Sequence, residues 1–182
     1  MWKNKMILVI AVLSLLFFLG SGLSKAQAAS FNVGEVSGAP ADTVVVPINL
    51  TSGLGENVCA FNFDIIFDSN KLEVLNLPDD ISIGPTAKAA GKVLQASQPK
   101  PGRIVIVVYG ARKTIANGKV ANINFHIRSG AAKGFTHITI SDASAADPNA
   151  RKVNLIIKNG KINIVPKRNI DNWFKIFRKN KK

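Results

Sequence analysis

The residues that could carry chemistry in this 182-residue chain are few and scattered. The two histidines, His126 and His137, stand apart from any group of ligand-type residues. A metal site needs several converging donors, so both read as surface or hydrogen-bonded side chains. Asp64 and Asp68 lie four apart on one side of a strand-like run. Paired carboxylates can hydrolyse glycosides, but a solvated surface accounts for these two more simply. Asp79-Asp80 follows Pro78 and reads as a turn. Asp142 and Asp147 flank Ser144 and offer the oxygen ligands that calcium takes; the plainer reading is a loop. Cys59 is the single cysteine. It cannot form an intramolecular disulfide, and it reads as a small buried apolar residue. No H-E-x-x-H, G-x-S-x-G or Cys–His signature occurs. The sequence therefore predicts no catalytic residue, no metal site and no cofactor.

The elements that would position these residues are strands. Phe61, Phe63, Ile65 and Phe67 alternate with Asn62, Asp64 and Asp68; Ala121, Ile123, Phe125 and Ile127 alternate with Asn122, Asn124 and His126. Period-2 alternation buries one face and leaves the other polar. Further strands are predicted at Phe31–Val36, Thr43–Leu50, Leu72–Leu77, Lys92–Ala96, Arg103–Tyr109, Ile138–Ile140, Val153–Ile157 and Ile162–Ile164. Between them fall turn signals such as Asp68-Ser69-Asn70, Pro99-Lys100-Pro101-Gly102 and Asn117-Gly118. Asn159-Gly160 predicts a type I′ hairpin. No segment of the body has a 3.6-residue apolar period. The pattern predicts an all-β antiparallel sandwich. Ile104 to Tyr109 is apolar on both faces. It is either a central strand covered on both sides or, with Ile66, part of an exposed binding patch.

The two ends differ from the body. Lys3 and Lys5 precede an apolar run from Met6 to Leu19, and small residues lead to Ala26-Gln27-Ala28. That order predicts a secretory signal cut after Ala28 rather than an uncleaved membrane anchor, since the run is short of the roughly 20 residues that a spanning helix needs. The body is then 29–166 and the tail 167–182, and the protein is expected to be secreted, with attachment to the cell surface as an option. The tail holds seven basic residues against Asp171, a net +6, and the leader holds three lysines, so Ala29–Pro166 keeps +4 of the total +13. The charge is thus no nucleic-acid footprint on the domain. In the tail Ile170, Trp173, Phe174 and Phe177 recur at helical spacing beside Lys175 and Arg178. A basic amphipathic helix with aromatic anchors suits an anionic membrane or envelope polymer.

Taken in order, the body resembles a cohesin domain. Gly38-Ala39-Pro40-Ala41-Asp42-Thr43 is similar to the family's "xxPGDTV" turn, with Ala41 in place of glycine. Phe61 to Val74, FNFDIIFDSNKLEV, resembles its "F-x-x-x-Y-D-P-x-x-L-E-V" segment, and Gly102–Tyr109 its apolar central strand. Gly118 to Gly134 resembles its "G-x-x-A-x-I-x-F-x-x-x-x-x-A-x-x-G" stretch, and the closing Asn159-Gly160-Lys161-Ile162 fits too. The resemblance implies a nine-stranded jelly-roll sandwich. It also implies that one sheet face, built near Phe61–Phe67, Arg103–Tyr109, Val120–Arg128 and Ile138–Ser141, docks a helical dockerin. The residues so implied are Asn62, Asp64, Ile66, Val105, Val107, Tyr109, Asn122 and Asn124. Asn62 falls where the family often has a recognition Asp or Asn, and Ala60 where a second polar one is found. Cell-surface polysaccharide is the alternative partner, because carbohydrate-binding modules share the sandwich. A structural envelope protein is a further alternative. The lone tyrosine and the placement of both tryptophans outside the body argue against a flat aromatic glycan platform.

Overall fold

The computed structural model describes residues 28–167. Residues 1–27 and 168–182 lie outside them, and with them most of the predicted signal sequence and the predicted tail helix with Trp173, Phe174, Lys175, Phe177 and Arg178. Twelve strands and one short helix follow in order: β1 (Ala29–Val33), β2 (Val36–Gly38), β3 (Thr43–Thr51), β4 (Ala60–Phe67), β5 (Leu72–Glu73), β6 (Ile81–Ile83), α1 (Pro85–Ala89), β7 (Lys92–Lys100), β8 (Arg103–Gly110), β9 (Gly118–Ile127), β10 (Gly134–Ala146), β11 (Leu155–Lys158) and β12 (Gly160–Ile164).

They form two six-stranded sheets. The front sheet runs β2-β12-β10-β4-β8-β7. The back sheet runs β11-β1-β3-β9-β5, with β6 also on β9. The inward residues of each sheet meet in one core. From the front come Phe61, Phe63, Ile65, Ile104, Ile106 and Ile138; from the back come Phe31, Val46, Ile48, Ile123 and Phe125, and all are buried. Aromatic pairs join the two sheets. Phe31 lies 4.8 Å from Phe61 and 5.4 Å from Phe63, and Phe67 meets Phe125 edge-on at 5.0 Å. Tilted pairs of this kind favour the ring quadrupoles as well as burial.

The all-β sandwich follows the alternation, but several details depart from expectation. The predicted nine strands are twelve strand segments. Short pieces of two or three residues (β2, β5 and β6) account for much of the difference. The predicted strand Leu72–Leu77 stops at Glu73, because Asp80 draws the backbone N–H groups of Leu75 and Asn76 onto its carboxylate at 3.0 and 2.8 Å. Two edge pairings, β1 with β11 and β2 with β12, are parallel rather than antiparallel. Asn159-Gly160 makes no hairpin: β11 pairs with β1 in the back sheet, and β12 with β10 and β2 in the front. The dipeptide instead carries the chain between sheets. Glycine is needed there for space, since a Cβ on Gly160 would sit 2.5 Å from the Gly34 carbonyl oxygen. Asn159 accepts the backbone N–H of Ile140 at 3.1 Å.

The candidate docking face

β4 and β8 are the centre of the site. Their register sets Asn62 opposite Val107, Asp64 opposite Val105 and Ile66 opposite Arg103. Residues directly opposite share a face, and this is the outer one, because Phe61, Phe63 and Ile65 point to the core. β7 extends the same rows with Val93 beside Tyr109, Gln95 beside Val107 and Ser97 beside Val105. β10 closes the other side with Thr139 beside Ile66, Ser141 beside Asp64 and Ser144 beside Asn62.

The result is an apolar stripe with a polar margin. Val93, Tyr109, Val107 and Ile66 are 52%, 42%, 37% and 37% exposed, and Val105 is half-buried. The backbone of β8 is hydrogen-bonded on both edges, to β4 and to β7. A strand in that position needs no apolar outer face for its own pairing. Of the two expectations for Ile104–Tyr109, the uncovered patch is the one found among the described residues. Ala60, Asn62, Val107, Tyr109, Ser144 and Ala146 line a shallow depression of about 150 Å³ across it.

The polar groups on this face are already engaged to different degrees. Asp64 lies on the outward register, yet it is 5% exposed rather than solvated. Arg103 covers it, with Nε and Nη2 both on Oδ2 at 2.6 and 2.5 Å. Burial of a carboxylate requires such a partner. Asn62 is exposed and donates weakly, at 3.5 Å, to the Asp142 carbonyl oxygen. That oxygen belongs to a bulge between Ser141 and Ser144, where Asp142 adopts φ 50°. A bulge inserts unpaired residues and bends the strand. Here it lets β10 run on to Ala146, well past the end the alternation suggests.

Asn122 and Asn124 are not on this face. They lie on β9, which pairs with β3, β5 and β6 in the back sheet. The alternation of β9 is as regular as that of β4, and alternation fixes the face of a strand without fixing its sheet. Asn124 instead donates to Asp80 Oδ1 at 3.4 Å, and Asn122 keeps a buried Oδ1 without a partner. Conversely, Val93, Gln95, Ser97, Ser141 and Ser144 belong to the face, beyond the eight residues that the resemblance implies. The signal was present in β7, where Val93, Gln95 and Ser97 alternate with Leu94 and Ala96.

The other candidates are dispersed. Among the described residues no group of three or more His, Cys, Asp or Glu could hold a metal. Asp147 is taken up by its own turn. The backbone N–H of Arg151 holds its carboxyl below the usual carboxylate range, helped by the Arg151 guanidinium and the Asn149 N–H and opposed by partial burial. Cys59 is buried, as expected, and Lys92 reaches it with Nζ 3.2 Å from Sγ while also donating to the Ala111 carbonyl.

Known proteins share this architecture. Cellulosomal-scaffolding protein A of Acetivibrio thermocellus is 24% identical over 152 residues, which are 79% of this chain and 8% of that protein's length. CaCohA2 from Clostridium acetobutylicum, crystallised in complex with a CaDoc0917 variant, is 27% identical, with a TM-score of 0.62 over 75% of this chain and 99% of that one. The sixth cohesin of scaffoldin B from Acetivibrio cellulolyticus, in complex with a Cel5 dockerin, is 24% identical and superposes with a TM-score of 0.65 over 75% of this chain and 99% of that one. The cohesin domain model matches residues 29–164. Those residues begin with β1 and end with β12, so the whole sandwich is accounted for, and the chain belongs to the cohesin domain family.

Proposed function

We propose that the protein is a non-catalytic binding module that docks a helical, dockerin-like partner on the outer face of β10, β4, β8 and β7. The observation that carries this reading is the uncovered apolar row Val105, Val107 and Tyr109 on β8, a strand paired on both edges, flanked by Ile66 and Val93. The solvent face of an antiparallel sheet is ordinarily polar, and a contiguous apolar patch rimmed by polar groups marks an interaction site. The solved complexes of similar cohesins support the choice of partner class. Val107 and Tyr109 are the apolar anchors. Asn62, Gln95, Ser97, Ser141 and Ser144 offer the hydrogen bonds that set register. Asn122 and Asn124 have no part in this docking.

We also place the module outside the cytoplasm, in a cellulosome-like or other surface assembly. The leader motif through Ala28 and the cellulosomal relative support this. The basic aromatic tail would then hold the protein to an anionic membrane or envelope polymer, leaving the sandwich to display its face.

The test is a titration of residues 29–167 with a panel of dockerin domains, in calcium and again in chelator, read by hydrogen exchange. Amides of β4 and β8 should gain protection with a bound dockerin. Val107→Asp should weaken binding more than about 100-fold, because an unpaired charge buried at the centre of an interface costs roughly 3–5 kcal/mol. Protection confined to the back sheet, or binding indifferent to Val107→Asp, would overturn the assignment.

A further inference from the structure

We infer that the partner's apolar centre is flanked at both ends by acidic residues. The inference rests on the docking reading above and names the chemistry of its partner. The apolar stripe is bounded along the strands by basic groups. At one end β8 leaves Tyr109 for Gly110-Ala111-Arg112-Lys113, where Arg112 and Lys113 are exposed. Lys113 Nζ lies 3.3 Å from the Ala89 carbonyl oxygen, which brings it to the C-terminal end of α1, where Lys88 is also exposed. At the other end the turn between β7 and β8 presents exposed Lys100, in register with Arg103.

None of Lys88, Lys100, Arg112 and Lys113 forms an ion pair among the described residues. The carboxylates near the face offset little of this charge. Asp64 is paired with Arg103, and Asp68, two residues beyond Ile66, is shared with Lys71 at 3.8 Å. Asp142, exposed on the bulge of β10, is one acidic group beside the polar margin. The stripe is therefore neutral in the middle and positive at both ends. Opposite potentials at the rim steer encounter and fix orientation, while like charges there cost affinity. A second copy of this chain would set basic ends against basic ends if it packed antiparallel or parallel on the same stripe. The chain's own tail, with seven basic residues, is repelled for the same reason. Acidic residues at the helix ends of a partner complete the surface.

The experiment uses a panel of dockerin domains sorted by the charge of the residues flanking their apolar helix faces, titrated against the wild-type chain at low and high salt. Acid-flanked members should bind at least about tenfold more tightly than base-flanked ones at low salt, and the gap should shrink as salt screens the rim. The variant Lys100→Glu/Arg112→Glu/Lys113→Glu, all at exposed positions, should reverse that order, with its far-ultraviolet spectrum and melting point confirming the fold. Val107→Asp should abolish binding of every member. If base-flanked dockerins bind best, or the triple variant leaves the order unchanged, the acidic-partner inference falls while docking stands. If no member protects β4 and β8, docking and the inference fall together.

Discussion

Ala41 holds φ at 70° in the turn that leads into β3, a conformation that a Cβ disfavours. Its backbone N–H is nonetheless tied to the Ile127 carbonyl oxygen at 2.8 Å, so the turn is kept. Ala41→Gly should raise stability by about 1 kcal/mol, because the relief of the left-handed strain outweighs the extra freedom glycine gives the unfolded chain. Thermal denaturation reads this as a higher melting point. A lower one would mean the turn holds no such strain. Asp147 makes a pH prediction of defined sign. Its carboxyl is lowered in the folded state, so it stabilises the fold at neutral pH, and the stabilisation is lost as pH falls below the ordinary value of 3.8 and through the lowered one. An NMR titration should place its midpoint below 3.8. Asp147→Asn should flatten the loss of stability between neutral and strongly acidic pH. A midpoint at or above the ordinary value would contradict the turn geometry.

β4 shows how a single strand serves both faces. Its inner side gives Phe61, Phe63, Ile65 and Phe67 to the core, and its outer side gives Asn62 and Ile66 to the docking face. Phe63 is fully buried and packs on Phe31 and Phe61. Phe63→Ala should cost about 3–5 kcal/mol by leaving a cavity between the sheets, measured by equilibrium unfolding. Ile66→Ala, on the other face of the same strand, should leave stability nearly unchanged. Equal losses from the two would mean that the outer face is not solvent-facing in the free protein. β10 complements β4 through its bulge. The positive φ at Asp142 is tolerated by Asp better than by most residues, and the unpaired residues bring Ser144 opposite Asn62.

Across the whole molecule, the two sheets divide the work. The back sheet, through Phe31, Ile48, Ile123 and Phe125, closes the core. Its outer side carries Asn32, Asn49, Asn122, Asn124 and His126 in adjacent strands, with Val45 and Ile156 as separate exposed apolar residues among them. The front sheet carries the apolar stripe and the basic ends. Docking should therefore protect one sheet and not the other. That asymmetry makes hydrogen exchange on the intact chain a more decisive measurement than affinity alone.

The alternation of apolar residues, which depends on nothing beyond the period-2 geometry of a strand, was enough to determine the all-β class and the inward sides of β4 and β9, while β8, apolar on both faces, gave no such signal. The ordered motifs were enough to point to the cohesin family, as the match over residues 29–164 shows. Asn62 and Ile66 could be placed on the outer side of β4 for the same reason. What local pattern could not decide was partnership between strands. Asn122 and Asn124 had the right alternation and the wrong sheet, since pairing is a choice made between distant segments. Asn159-Gly160 had the composition of a hairpin turn, but its neighbours find their partners in opposite sheets. Asp64 had an outward register, and only the approach of Arg103 from the next strand turned it from a solvated carboxylate into a buried, paired one. Each of these depends on contacts far apart in the chain, where packing and charge pairing outweigh local preference.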